Sequence, residues 1–86
     1  MEQLKNYRKN IDKIDKKIVK LLIARFKIIN KIANFKKQNK IGIKDKKREK
    51  EVTNNIKKYS NKTKHQKFLK KIFGKIIDYS KKMQSK

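Results

Sequence analysis

Three arginines stand in a chain whose other 26 basic residues are all lysine: Arg8, Arg25 and Arg48. Lysine is the default cation here, so each arginine asks for a reason. A guanidinium is a rigid planar fork that grips a carboxylate or phosphate through two parallel bonds, which an ammonium does not reproduce. Arg25 is the most conspicuous. Ile11, Ile14, Ile18, Leu21, Ile28, Ile32 and Phe35 recur at alternating steps of three and four, and Arg25 fills the missing step after Leu21. A charge set into an apolar seam can do one kind of chemistry well, the recognition of an anion.

Other polar residues also fall in line with apolar stripes. Arg25, Ile29, Ile32 and Lys36 follow helical steps and share a face; so do Asp45, Arg48, Glu49, Val52 and Ile56. Phe73, Ile76, Ser80 and Gln84 continue a third stripe. Packing by these stripes brings the polar groups together inside a bundle. Each has a plainer reading: Arg25 as the buried partner of Glu49, Arg48 and Glu49 as surface charges, Ser80 and Gln84 as a frayed helix end. Asp45 is most economically a helix cap, and a cap can also be a ligand. Lys36 alone carries no signal among so many lysines. A buried charge must be paired, and the inward cations outnumber the inward carboxylates. A small polycarboxylate ligand would supply the missing anions.

Three helices must position these groups, and no strand pattern competes with them. The first is expected over Glu2–Gln38, with Leu4 and Tyr7 extending its seam and Leu22, Ile29 and Ala33 as a flanking stripe. Asn39 to Asp45 reads as a loop marked by Gly42, with Asp45 able to cap the next helix. The second helix is expected over about Lys46 to Tyr59, with Val52, Ile56 and Tyr59 inward. After a turn at Ser60 to Lys64, the third is expected from about His65 to Gln84. Its inward residues are Leu69, Ile72, Phe73, Ile76 and Ile77, and Gly74 marks a close approach or a weak spot. The first helix would span roughly 50 Å, whereas a compact monomer of this size is only about 30–35 Å across. The expectation is therefore an intertwined homodimer with long helices side by side.

Composition bounds the rest. The 86 residues allow one domain, 1–86, with a modest core. There is no cysteine, which excludes disulfides and thiolate chemistry. His65 is alone and near a turn, where a surface role is expected. No apolar run reaches membrane-spanning length and MEQLKNYRKN has no leader-like apolar stretch, so a cytoplasmic protein without a membrane partner is expected. The net charge of +22 raises nucleic acid as a partner. Yet the lysines are spread over nearly every position the seams leave free, without a basic cluster or tail. That favours a solvated surface over polyanion binding.

The pattern resembles the all-helical class of chorismate mutase over nearly the whole chain. The similarity runs from YRKNIDKIDKKIVKLLIARF, through FKKQNKIGIKDKKREKEV, to IIDYSKKMQ. The family pattern has an Arg before a long seam, an Arg ending LLxxR, a Lys eleven on, Asp-x-x-Arg-Glu, and Ser-x-x-x-Gln near the end. Arg8, Arg25, Lys36, Asp45, Arg48, Glu49, Ser80 and Gln84 fill it. The resemblance implies an all-α, intertwined homodimeric bundle of three-helix chains with two equivalent sites. It implies conversion of chorismate to prephenate, the branch step toward phenylalanine and tyrosine. By the same resemblance, Arg25 and Ser80 hold one substrate carboxylate and Arg8 reaches in from the other subunit to hold the second. Lys36 and Gln84 face the ether oxygen, Glu49 with Asp45 nearby meets the ring hydroxyl, and Arg48 orders the acidic pair. The reaction is pericyclic, so no cofactor, metal or nucleophile is expected.

Two features depart from the pattern. The family often carries a proline before the Asp, where this chain has Ile41-Gly42-Ile43-Lys44, and the lysine excess should make the dimer repel itself. A monofunctional chorismate mutase is the first reading, without an attached regulatory domain. An isochorismate pyruvate-lyase of the same fold and a basic helical nucleic-acid-binding dimer are its rivals.

Overall fold

The structure, a computed structural model, describes residues 1–85. It is all-α, with three helices and no strand among the described residues: α1 (Glu2–Gln38), α2 (Lys46–Tyr59) and α3 (Gln66–Gln84). The helix bounds agree with the sequence expectation except that His65 is the N-cap of α3 rather than its first residue. α3 packs against both α1 and α2, which do not pack against each other.

α1 runs unbroken for 37 residues because nothing in it breaks a helix. Glu2 in its first turn and Lys36 and Lys37 in its last complement the helix dipole. Its end is closed by a Schellman arrangement: Ile41 N–H donates to the Lys36 carbonyl at 2.8 Å and Lys40 N–H to the Lys37 carbonyl at 3.4 Å. The residue in the left-handed region there is Lys40, with φ 55°, and not Gly42. Asn39 adds a side-chain bond from Nδ2 to the Phe35 carbonyl, 2.8 Å.

α2 and α3 form a helical hairpin. Thr63 Oγ1 donates to the Ser60 carbonyl at 2.8 Å, and Gln66 Nε2 ties the start of α3 to the Lys57 carbonyl at 2.8 Å. Ile56 of α2 is the most buried apolar residue, at 8% exposure, facing a hollow shared with Leu69 and Phe73 of α3. Tyr59, expected inward, is 76% exposed, because the stripe reaches the last residue of α2, where the chain is already turning. Gly74 meets no close neighbour, so of the two readings of that glycine the close approach is not made among the described residues.

The stripe of α1 that meets α3 is the flanking one. Leu22, Phe26, Ile29 and Ala33 are half-buried, and Phe26 packs edge-on against Tyr79 with ring centroids 5.1 Å apart. The seam itself, from Ile11 through Leu21 and Ile28 to Phe35, stays exposed; Leu21 is 70% and Ile28 57% accessible. The chain measures 57 × 26 × 15 Å with a radius of gyration of 16.5 Å, against about 12 Å expected for a compact chain of this length. One chain therefore covers only one side of its longest helix.

Candidate active site

All three helices end or begin at one groove. α1 contributes Arg25 and Lys36, the start of α2 contributes Asp45, Arg48 and Glu49, and the last turns of α3 contribute Ser80, Lys81 and Gln84. Ile29, Ile32, Ile43, Val52 and Ile77 supply its apolar wall. The cavity holds about 130 Å³. Seven of the eight residues expected from the sequence line it. The eighth, Arg8, is exposed on α1, roughly 25 Å along the helix from Arg25.

Two polar rungs join α1 to α3 across the groove. Arg25 Nη1 donates to Ser80 Oγ at 2.9 Å, and Lys36 Nζ donates to Gln84 Oε1 at 3.0 Å. Ser80 Oγ itself donates to the Ile76 carbonyl at 2.8 Å, so its proton is committed to the helix. Lys36 also donates to the Ile43 carbonyl at 3.2 Å, which fastens the proline-free loop to α1. An ammonium has three donors, and two of the three on Lys36 are thereby engaged. Gln84 Nε2 spends one N–H on the Ser80 carbonyl at 3.3 Å and keeps the other. Lys36 and Gln84 thus each retain a donor, side by side and held in place.

On the acidic side, one of the plainer readings is excluded. Glu49 is not the partner of Arg25; its Oε1 accepts from Lys81 Nζ at 3.2 Å. Arg25 is occupied with Ser80, and Lys81, one turn on from Ile77 in α3, also lines the groove. Arg48 orders Asp45 through its backbone N–H, which donates to Asp45 Oδ1 at 2.9 Å. Its guanidinium leans instead toward exposed Glu51, at 3.6 Å, a pairing water largely screens.

Asp45 is the N-cap of α2, as the sequence reading allowed. Asp45→Ala is expected to lower unfolding free energy by about 1 kcal/mol, measured by denaturant titration, while Asp45→Asn retains most of it. Equal losses in both variants would show that the cap contributes nothing.

The groove has a surplus of positive charge. Arg25, Lys36, Arg48 and Lys81 face Asp45 and Glu49, leaving two cations over. Arg25 carries the strain of this: burial, and then the like charge of Arg48, hold its pKa below the ordinary arginine value. It remains a cation at any physiological pH. The negative charge of a dianionic ligand would offset both the burial of Arg25 and its repulsion by Arg48. Sequence reasoning missed Lys81. Its steps of four from Ile77 and three to Gln84 are helical and were there to be read, but one lysine among 26 does not stand out.

The family model for chorismate mutase type II matches residues 7–85. The chain is 35% identical over 85 residues to a chorismate mutase of Methanocaldococcus jannaschii, covering 98% of this chain and 86% of that protein. No solved structure matches it.

Proposed function

The chain belongs to the type II chorismate mutase family, and we propose that the groove between its three helices is where chorismate becomes prephenate. The family and the M. jannaschii relative support this activity and favour neither the lyase nor the nucleic-acid reading. One observation carries the assignment of the site: seven residues of the family pattern, from three helices, line a single groove with two uncompensated positive charges.

The reaction breaks a C–O bond and forms a C–C bond in one cyclic electron shift, and no proton is transferred. The site's first task is to hold a flexible dianion in the compact conformer in which the two reacting carbons meet. The Arg25 guanidinium, with Ser80 beside it, takes one carboxylate. Its second task is to stabilise the negative charge that grows on the ether oxygen as the C–O bond lengthens. Lys36 and Gln84 each keep a donor for that purpose, and their bonds to Ile43 and to each other mean they need not reorganise. Glu49, with Asp45 nearby, accepts from the ring hydroxyl. Arg48 adds positive potential at the mouth of the site.

The second carboxylate is left to Arg8 of another copy of this chain. The exposed seam of α1 supports this homodimer: its isoleucines repeat at seam spacing over the helix length, and Ile56 is the one buried apolar residue among those described. Two such seams laid together would bury each other.

Loss of chorismate absorbance, with the product identified as prephenate, tests the activity; turnover of isochorismate instead would replace it with the lyase reading. The chain is expected to sediment at twice the mass of one copy. Ile28→Asp, a carboxylate in mid-seam, is expected to give monomers without turnover. A fully active monomer would remove the shared site.

A further inference from the structure

Among the described residues, Lys81 is the one ionic group of the groove that lies outside the family pattern, and its contact is with Glu49. The ammonium sits 3.2 Å from Glu49 Oε1 and 3.9 Å from Oδ1 of exposed Asp78. Lys81 and Glu49 are 37% and 30% exposed, so the pair is partly shielded from water. No other cation among the described residues bridges Glu49: Arg25 is bonded to Ser80, and Arg48 pairs with Glu51.

On the reading of the groove as the chorismate site, Glu49 is in conflict with its surroundings. It must accept a hydrogen bond from the substrate hydroxyl, yet its charge repels a molecule that carries two carboxylates. We propose that Lys81 is a positioning residue that resolves this conflict: it neutralises the field of Glu49 and fixes one carboxylate oxygen. The other oxygen is left for the hydroxyl. The shielding acts on substrate, transition state and product alike, because all three carry the same two carboxylates. Its loss is therefore felt in binding and hardly in the chemical step.

The test uses the full-length protein and the affinity for prephenate, measured by calorimetry, so that a variant with slow chemistry still reports. Lys81→Met is expected to raise both this Kd and the KM for chorismate about tenfold, or about 1.4 kcal/mol. The kcat should stay within about threefold of the parent. Lys81→Arg keeps a cation on Glu49 and should hold Kd within about twofold. In a Glu49→Gln background Lys81 loses the carboxylate that holds it at the groove and turns into solvent, where its charge is screened, so adding Lys81→Met should change Kd less than about twofold. The pair is about one-third exposed and a single ion pair of this kind contributes little to stability, so these variants are expected to melt near the parent temperature. An unchanged Kd in Lys81→Met overturns the proposal. So does an equal tenfold rise in both backgrounds, which would make Lys81 a direct anion ligand. A parent protein that does not turn over chorismate at all would instead defeat the functional reading beneath it.

Discussion

Arg25→Lys is expected to lower kcat/KM for chorismate by roughly 10²–10³-fold, although the formal charge is unchanged. The size of the loss follows from what the guanidinium does that an ammonium cannot. One arm of Arg25 is spent on Ser80 Oγ at 2.9 Å, and the remaining N–H groups of the same rigid plane are left to grip a carboxylate. A lysine of shorter reach has three donors around a point and no fork. It can keep the Ser80 bond or meet the carboxylate squarely, and the substrate is then held less firmly in its compact conformer. Small errors in such placement cost on the order of 10²-fold in rate. Arg25 is half-buried, desolvated and repelled by Arg48, so a variant that loses turnover should still be folded; circular dichroism checks this. Near-parental kcat/KM in Arg25→Lys would mean that only charge matters there, and that the rarity of arginine in this chain carries no functional message.

Much of this arrangement can be read from the sequence because helices impose a strict geometry. With no proline and two glycines, α1 had nowhere to stop before Asn39, and Asp45 announced the start of α2. Stripes at steps of three and four predict which side chains share a face, and three such faces converged as expected. Three things escaped that logic. Stripes do not say which of two adjacent faces meets the chain's own helices, and here Leu22, Phe26 and Ile29 do so while the seam of Leu21 and Ile28 stays open. Pairing among several nearby charges depends on reach and angle. Glu49 therefore went to Lys81 rather than Arg25, and Arg48 turned to Glu51. The loop, too, was marked by its glycine, Gly42, and residue type gave no sign that its left-handed residue is Lys40. The hydrogen bonds of the Schellman turn offset the modest cost of that conformation for a residue with a side chain.

Arg8 is the residue whose role the single chain leaves open. It is exposed and belongs to no ion pair among the described residues. It lies roughly 25 Å along α1 from Arg25, too far to serve the same groove. In the proposed dimer joined along the α1 seams, the first turns of one long helix would extend past the other chain toward its groove. Arg8→Ala is then expected to reduce kcat/KM by roughly 10²-fold, because one of the substrate's two carboxylates loses its counter-charge in a partly desolvated site. Arg25→Ala removes the other anchor and should be at least as damaging.

Mixing the two inactive variants tests the shared site most directly. In a mixed dimer, the groove of the Arg8→Ala chain keeps its own Arg25 and receives an intact Arg8 from its partner, while the second groove lacks both. Random exchange makes half of the dimers mixed, with one working groove each, so about a quarter of the parental activity should return. Mass spectrometry of the intact dimers confirms the exchange. If mixed dimers form and no activity returns, Arg8 does not cross between chains, and the account of a groove completed by a second copy is contradicted.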